Sequence, residues 1–245
     1  LMFRRVRIGG RIDGVISGKP IHLTTAEQRK KLPETDSLYI DIGAKDKLEA
    51  SKKVSLGDRA VICGEYLESG DNIISKAIDD RAGCAVLIEI IRCFGEYDFY
   101  ASVSSQEEIG LRGAKTATFA IDPDCAIILE STTAADIKDV KEENSVCNLG
   151  LGPVVSFMDR ATVYDRKFYD AALKSEILCQ PKRAVAGGNN AGSVHLSREG
   201  VRTVAISLPT RYIHSSSCVA NKGDLENMRK LAEYMLKGIA SGEIE

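Results

Sequence analysis

The residues with the clearest chemical potential stand at junctions between predicted strands and helices. Asp79 lies between a short strand and an apolar helix, and the adjacent Glu107 and Glu108 follow another predicted strand. Glu130 ends an apolar strand, and His214 lies just beyond a further strand. One imidazole with several carboxylates is a mixed nitrogen and oxygen ligand set, which suits Zn²⁺, Co²⁺ or Mn²⁺ better than Ca²⁺. A shared carboxylate could bridge two ions roughly 3.5–4 Å apart, as in two-metal hydrolases.

Each of these residues also has a purely structural interpretation. Asp79 could cap the helix that follows it, and Glu107 with Glu108 could form a solvated acidic first helical turn. Glu130 could simply emerge into solvent at the end of its strand. Two adjacent carboxylates in a tight turn nevertheless repel each other, and a divalent cation would remove that cost. Because these side chains all fall at comparable element ends, one sheet could bring them to the edge where open α/β sheets bind ligands.

The remaining candidate groups offer weaker chemistry. His195 lies inside an amphipathic segment and His22 in the N-terminal part, so we interpret both as structural. Cys218 lies four residues after His214, but that spacing in a loop does not establish a nucleophilic pair. The sequence has no G-x-S-x-G, H-E-x-x-H or G-x-x-x-x-G-K-[ST] motif, and Pro153 argues against a dinucleotide loop at the glycine-rich run 150–153.

The chain divides into two parts with different sequence patterns. Residues 1–70 combine short predicted strands with polar loops and predict a small β-rich domain. Residues 71–245 alternate strands with helices, which predicts an α/β domain with a mostly parallel sheet and helices on both faces. In the last helix, apolar residues recur at spacings of three and four behind Asp224, a predicted N-cap. The second part is predicted to contain helices over 79–94, 110–120, 168–177, 190–198 and 224–239, and strands over 72–75, 99–105, 125–129 and 203–208.

Composition excludes several classes of protein. The 245 residues include 33 basic and 35 acidic side chains, a formal charge of −2, which argues against a nucleic-acid partner. The longest apolar runs, such as 84–88 and 125–129, are too short to cross a bilayer, so we expect no membrane partner. The seven cysteines are odd in number and include no C-x-x-C pair, which indicates a reducing compartment and favours a cytoplasmic protein.

Seven short stretches carry a more specific pattern: KPIHL (19–23), LYIDIGA (38–44), KAIDDRAG (76–83), QEEIGLRGA (106–114), ESTTAAD (130–136), GGNNAG (187–192) and RYIHS (211–215). At these stretches the chain resembles the dinuclear-metal aminopeptidases of the tetrahedral aminopeptidase and glutamyl aminopeptidase type, whose members are often labelled cellulase M or endoglucanase. The stretches run in the family's order from Lys19 to Ser215, so the resemblance covers most of the chain.

The resemblance implies a role for each candidate residue. Asp79 resembles the carboxylate that bridges two metal ions, and Glu108 and His214 resemble ligands of one of them. Glu130 resembles the acidic ligand of the second ion. Glu107 resembles the general base, which would take a proton from metal-activated water and return it to the leaving amine. The family also implies two divalent ions, with Zn²⁺ or Co²⁺ favoured, and peptide substrates.

The architecture implied by the resemblance is a zinc-peptidase-like α/β catalytic domain, 71–245, with a β-rich insert domain, 1–70. Proteins of this type assemble into hollow homo-oligomers, commonly dodecamers built from dimers, and the insert contributes contacts or controls substrate access. We therefore expect this chain to form a homo-oligomer.

The sequence departs from the family pattern at two places. The family has an N-terminal His-x-Asp segment whose histidine binds the second ion, and nothing in this chain, which starts Leu1-Met2, corresponds to it. Asn190 stands where the family usually has Asp, so a negative charge near the site is lost. We therefore expect a family member that lacks its N-terminal strands, binds one ion tightly and is impaired or inactive in hydrolysis.

Two other functions remain compatible with the sequence. One is a non-catalytic assembly or peptide-binding subunit that keeps the fold without the reaction. The other is the glycosidase implied by the cellulase label, which would need a carboxylate pair flanking a sugar and no obligatory metal.

Overall fold

A computed structural model describes residues 1–245, which form two compact units, Leu1–Glu65 and Tyr66–Glu245. The first unit contains β1 (Arg5–Ile8), β2 (Ile12–Ser17), α1 (Ala26–Arg29), β3 (Tyr39–Asp41), α2 (Lys47–Lys53) and β4 (Ala60–Ile62). Its strands form one antiparallel sheet in the order β3-β2-β1-β4. Val6 and Ile8 are buried on one face of β1, as the two-residue period of a strand requires.

The second unit consists of β5 (Leu67–Ser69), β6 (Asn72–Ser75), α3 (Ile78–Cys93), α4 (Arg112–Ile121), β7 (Cys125–Thr133), β8 (Val154–Val155), α5 (Arg166–Lys174), β9 (Gln180–Pro181), α6 (Ala191–Val194), β10 (Arg202–Arg211), β11 (Cys218–Asn221) and α7 (Lys222–Ser241). Its seven strands form one sheet in the order β5-β6-β11-β10-β8-β9, with β7 paired to β10. No helix combines the length and the apolar character needed to cross a bilayer.

The predicted α/β class is confirmed, but the expectation of a mostly parallel sheet is wrong. Only β7 with β10 and β8 with β9 run parallel, whereas the other four pairings are antiparallel. Short connections explain two of these four pairings, because parallel neighbours need a crossover of about a dozen residues or more. The short links from β5 to β6 and from β10 to β11 can only return the chain in the opposite direction.

Helices cover both faces of the sheet, as expected. Alternate residues of β7 face opposite sides, so that Ile127 and Leu129 pack with α3 and α7, while Ala126 and Ile128 pack towards α4 and α6. The larger core also includes Val204, Ile206 and Leu208 of β10 and Phe168 and Ala172 of α5. Burying β10 so completely fixes the register of β7 beside it, and with it the position of Glu130 opposite Ser207.

One predicted strand, one predicted helix and one predicted N-cap differ from the structure. Residues 99–105 do not form a strand, because no neighbouring strand pairs with their backbone; β7 pairs with β10 alone. The helix predicted over 190–198 is shorter, since the N–H of Ser197 bonds to the carbonyl of Val194 in a turn. The N-cap of α7 is Asn221, whose side chain accepts from Gly223 and Asp224 N–H groups, and not Asp224 itself.

Candidate active site

Asp79 and Asp80 occupy the junction between β6 and α3. Their backbone angles, φ −82° and ψ 109° for Asp79 and φ −122° and ψ 56° for Asp80, are not helical, and the peptide bond between them is cis. Asp80, not Asp79, bonds the helix, since its Oδ1 accepts from Gly83 N–H at 2.9 Å. A Cβ at residue 83 would collide with the Asp80 carboxylate, which is why glycine permits this contact. The Asp79 side chain is therefore available for another partner.

Glu107 and Glu108 lie in a turn before α4. The carbonyl of Glu107 accepts from the N–H groups of Gly110 and Leu111 at 3.0 and 2.9 Å, which fixes the turn. Neither glutamate belongs to the first turn of α4, so the helix-terminus interpretation does not describe them. Glu107 is partly buried whereas Glu108 is exposed, so the two adjacent carboxylates meet different environments.

His214 brings the first of two acidic clusters together. It follows β10 in a left-handed backbone conformation, with φ 62°. Its Nε2 atom lies 3.1 Å from Oδ2 of Asp79 and 3.4 Å from Oε2 of Glu108. One ligand atom from each of these three residues lies within 4.8 Å of the others, which is the spacing of a metal-binding group. The segments that supply them are far apart in sequence and meet here.

Glu130 belongs to the second cluster. It is only 4% exposed near the end of β7, so it does not emerge into solvent. Its Oε1 accepts from the side-chain amide of Asn190 at 2.9 Å and from the backbone N–H of Asn190 at 3.4 Å. Carboxylate oxygens of Asp79, Asp80 and Glu130 also lie within 4.8 Å of one another. Asp79 is thus common to both clusters, as a bridging residue would be.

A buried hydrogen-bond network holds the loop that carries Asn190. Tyr164 Oη donates to Oδ2 of Asp159 at 2.6 Å, and the side-chain amide of Asn189 donates to Tyr164 Oη at 3.0 Å. Oδ1 of Asn189 accepts from Ala191 N–H at 2.8 Å, at the start of α6. Since Asn189 and Tyr164 are buried, this network fixes the backbone that presents Asn190 to Glu130.

Burial and mutual repulsion raise the pKa of four carboxyl groups in the site. Burial first, and then the charges of Asp80 and Glu107, raise the pKa of Glu130 to about 8. Burial is again the main cause that raises the pKa of Asp80 to about 7. The pKa values of Asp79 and Glu107 are raised by burial and then by the charge of Glu108. The site therefore concentrates more negative charge than the protein itself stabilises.

The donor set fits divalent cations. The carboxylates of the two clusters and Glu107 pair with no lysine or arginine, and His214 is their only ion-pair partner. Oδ1 of Asn190 is buried beside Glu130 without a hydrogen-bond donor. A cation would stabilise these groups together, and carboxylate oxygens with one imidazole nitrogen suit Zn²⁺, Co²⁺ or Mn²⁺. A cavity of about 150 Å³ is lined by Asp79, Glu107, Glu108, Glu130 and His214, together with Ser131, Lys182, Gly187 and Asn189.

Sequence reasoning gave no role to Asp80 and did not foresee the bond from Asn190 to Glu130, and the histidines that it interpreted as structural belong to neither acidic cluster. Asp80 received no role of its own, although the adjacent Asp-Asp pair at a strand–helix junction was a usable signal. The bond from Asn190 to Glu130 has no sequence signal, because it depends on the packing of α6. His195 bonds to the carbonyl of Ala191 at 2.7 Å, and neither His195 nor His22 is a member of the two clusters.

Comparisons with known proteins show the family to which the chain is related. The model of the M42 glutamyl aminopeptidase family matches residues 3–231. A putative aminopeptidase of Acetivibrio thermocellus is 38% identical over 233 residues, which are 91% of this chain and 69% of that protein. The lysyl aminopeptidase of Pyrococcus furiosus is 35% identical over 91% of this chain and 66% of its own length. The chain thus spans about two thirds of the length of these curated relatives.

Solved structures give the same result. An aminopeptidase from the archaeon Desulfurococcus kamchatkensis has a TM-score of 0.92 and 33% identity, and the match covers 100% of this chain and 71% of that one. The TET1 peptidase of Pyrococcus horikoshii, which can assemble into a tetrahedron or a large octahedral shell, has a TM-score of 0.79 and 31% identity over 95% of this chain and 71% of its own. The resemblance carried by the seven sequence stretches is confirmed.

Proposed function

The chain belongs to the M42 glutamyl aminopeptidase family, and from this premise we propose that it is a metal-dependent aminopeptidase that removes residues from the N-termini of peptides. The observation that carries this proposal is the meeting of Asp79, Glu108 and His214 within 4.8 Å beside Glu107, which lines the same cavity. A structural role would not account for several carboxylates that raise one another's pKa in a partly buried cavity without a lysine or arginine partner.

In this proposal the acidic residues and His214 bind two divalent ions, and Zn²⁺ and Co²⁺ are the favoured metals. Asp79, Glu108 and His214 would hold the first ion, and Asp79 with Glu130 the second. When bound, such ions supply Lewis acidity towards the scissile carbonyl and lower the pKa of the attacking water. Within these 245 residues the second ion has no imidazole ligand, so we expect it to bind more weakly than the first.

Glu107 is the proposed general base. Its carboxylate is partly buried in the cavity wall, and burial with the charges of Glu108 and Asp79 raises its pKa, which strengthens it as a proton acceptor. In this role Glu107 takes a proton from the attacking water and transfers it to the leaving amine of the peptide. Because it lies outside both clusters that could bind an ion, its carboxylate is free to do so.

The assembly and location of the protein are part of the same proposal. The Pyrococcus horikoshii relative can form closed shells, and we propose that this chain is a homo-oligomer as well. Exposed apolar side chains on the first unit, such as Ile21, Leu32 and Tyr39, support a role for that unit in contacts between copies. The seven free cysteines support a reducing, cytoplasmic setting.

A peptide assay with and without metal tests the function. The protein is dialysed against a chelator, and release of free amine is then followed from an unblocked tripeptide amide and from its N-acetylated form. We expect hydrolysis of the unblocked peptide only, and only after Zn²⁺ or Co²⁺ is added back, at a low rate if the second ion is weakly held. Undiminished hydrolysis in chelator would contradict a metal-dependent reaction. Ion binding without any hydrolysis would favour the non-catalytic peptide-binding subunit.

A further inference from the structure

The two acidic clusters share Asp79, but their donor atoms differ. The first cluster includes the imidazole of His214, whereas the second consists of carboxylate oxygens of Asp79, Asp80 and Glu130, which lie within 4.8 Å of one another. No histidine and no cysteine is a member of the second cluster. Imidazole nitrogen and carboxylate oxygen favour different metals, so the two clusters are not chemically equivalent sites.

Asn190 adds a further oxygen atom beside the second cluster. Its side-chain amide nitrogen donates to Oε1 of Glu130 at 2.9 Å, which fixes the orientation of the amide group. Its Oδ1 atom is buried without a hydrogen-bond donor, and a bound ion or water is an established explanation for such an atom. Asn190 also lines one cavity of about 730 Å³ with Asp79, Asp80 and Glu130, and we call these four residues the oxygen cluster.

Hydrogen bonds orient the carboxylates of the oxygen cluster. Oδ1 of Asp80 accepts from Gly83 N–H at 2.9 Å, and Oε1 of Glu130 accepts from Asn190. Carboxylates that bind metal ions are commonly held by hydrogen bonds of this kind. Glu130 is only 4% exposed, and a buried carboxylate without a cationic partner is costly. The cluster is therefore a prearranged set of oxygen atoms whose charge a cation would balance.

The donor atoms determine which class of cation fits. Carboxylate, carbonyl and water oxygens suit Mg²⁺ and Mn²⁺, whereas imidazole suits Zn²⁺. We propose that the oxygen cluster binds a hard divalent cation such as Mn²⁺ or Mg²⁺, while Zn²⁺ or Co²⁺ occupies the imidazole site of Asp79, Glu108 and His214. This inference rests on the proposed function and refines it, since the two ions of the site would differ in kind. Four protein oxygens leave positions for water on an octahedral ion of this class.

Titration with Mn²⁺ followed by electron paramagnetic resonance tests the inference without any catalysis. The chelator-treated protein first receives one equivalent of Zn²⁺ to fill the imidazole site, and Mn²⁺ is then added. Free Mn²⁺ gives a sharp solution signal that broadens when the ion binds, so the lost signal counts the bound ions. We expect one further Mn²⁺ to bind per chain. Absence of saturable Mn²⁺ binding to the Zn²⁺-loaded protein would overturn the inference.

Two variants separate the sites. Asp80→Asn keeps an acceptor for Gly83 N–H but removes a charge from the oxygen cluster, so we expect at least about tenfold weaker Mn²⁺ binding and a smaller effect on the first Zn²⁺. His214→Ala removes the imidazole, so Zn²⁺ binding should weaken and Mn²⁺ binding should persist. Asp139→Asn, at an exposed position outside the site, is the control and should change neither metal. A loss of Mn²⁺ affinity in Asp80→Asn no larger than the loss of Zn²⁺ affinity would overturn the inference.

The metal preference is measured in the same two variants. Asp80→Asn retains the imidazole site, and His214→Ala retains the oxygen cluster. Calorimetry with each metal alone gives the ratio of Zn²⁺ affinity to Mn²⁺ affinity in both variants. We expect this ratio to be at least about tenfold larger in Asp80→Asn, because imidazole favours Zn²⁺. Equal ratios would show that the two sites do not differ in metal preference and would overturn the inference.

Asn190→Ala and Asn190→Asp test whether Asn190 is itself a ligand. Asn190→Ala removes the oxygen atom and should weaken Mn²⁺ binding, whereas Asn190→Asp keeps an oxygen, adds a charge and should bind Mn²⁺ at least as tightly as the unaltered chain. A structural role alone predicts weaker binding in both variants, because both lose the donor to Glu130. That result, with unchanged melting temperatures, would overturn the assignment of Asn190 as a ligand. Asn227→Ala on α7 is the matched control and should leave Mn²⁺ binding unchanged.

Peptide hydrolysis separates this inference from the function on which it rests. If the protein cleaves an unblocked tripeptide amide with Zn²⁺ alone and has no site for Mn²⁺, the inference fails and the aminopeptidase stands. If Mn²⁺ binds to the oxygen cluster but no peptide is cleaved with either metal or with both, the proposed function fails and the oxygen-ligand metal site stands.

Discussion

The Nε2 atom of His214 lies 3.1 Å from Oδ2 of Asp79, although 135 residues separate them in the chain. The sheet creates this relationship, because Asp79 follows β6, His214 follows β10, and β11 pairs with both strands. Glu108 reaches the same imidazole at 3.4 Å from a turn that belongs to neither strand. Three separate segments thus place one nitrogen and two carboxylates around one point, which is the physical basis of the proposed metal centre.

Replacing the proposed base tests its catalytic role. Glu107→Gln removes the proton acceptor but keeps the size of the side chain, so we expect hydrolysis of an unblocked peptide to fall by about 10²–10⁴-fold. Binding of Zn²⁺ measured by calorimetry should change little, since Glu107 lies in neither metal-binding cluster. The matched control is Glu199→Gln at an exposed position, which should keep the rate of the unaltered chain. An unchanged rate in Glu107→Gln would exclude Glu107 as the base.

Replacing Asn190 with aspartate tests whether the amide of Asn190 stabilises the negative charge of the site. In the present chain the amide of Asn190 donates to Glu130 at 2.9 Å, and Asn190→Asp would replace this donor with a further carboxylate. We expect the metal-free variant to lose about 1–3 kcal/mol of its free energy of unfolding, and Zn²⁺ to restore more stability than in the unaltered chain. Urea denaturation with chelator and with Zn²⁺ measures both effects. Asn227→Asp on α7 is the control, and equal losses in the two variants would contradict this account.

The ion pair between Asp136 and Arg211 predicts a dependence of stability on pH. Burial alone would raise the pKa of Asp136, but hydrogen bonds from Arg211 and from Leu149 N–H and the Arg211 charge together lower it. A carboxyl group with a lowered folded-state pKa stabilises the fold above its unfolded value of about 3.9, and this stabilisation is lost as the pH falls through the folded-state pKa.

Urea denaturation near neutral pH and near pH 3 (about one unit below that unfolded value) measures the effect of this pair. Asp136→Asn should lower the free energy of unfolding at neutral pH and reduce its decline towards acid. The exposed Asp98→Asn variant, outside any ion pair, should follow the unaltered chain. A decline in Asp136→Asn as steep as in the unaltered chain would show that this pair contributes nothing to the acid response.

A buried aspartate at the start of α7 supports the fold in an unexpected way. Asp224 is 1% exposed, and its two carboxylate oxygens accept from the N–H groups of Gly150 and Gly152, each at 2.7 Å. Asp224→Ala would leave both N–H groups without partners, at a cost of about 1–3 kcal/mol in the free energy of unfolding. Asp224→Asn keeps one acceptor oxygen and should lose less, as urea denaturation of both variants can show. Equal stability of Asp224→Ala and the unaltered chain would mean that water replaces the carboxylate without cost.

The sequence predicted the elements around the candidate site best where hydrophobic periodicity was strong. The apolar helix after Asp79 and the strand around Glu130 both exist, and carboxylate oxygens of Asp79 and Glu130 lie within 4.8 Å of each other. Asp224 shows the limit of local rules, since aspartate suits an N-cap but here bonds a loop more than 70 residues away. Residues 99–105 alternate as a strand does, yet a strand forms only where a neighbour pairs with it, and no local pattern shows whether that neighbour is present.

Titration of the chelator-treated protein with Zn²⁺ in a calorimeter tests the central claim most directly. The account predicts saturable binding of at least one ion per chain, weakened at least about tenfold in His214→Ala through loss of its imidazole ligand. His195→Ala is the matched control, because His195 bonds only a backbone carbonyl, and its binding should equal that of the unaltered chain. Absence of saturable binding, or equal affinity in His214→Ala and the unaltered chain, would contradict the metal centre on which the proposed function depends.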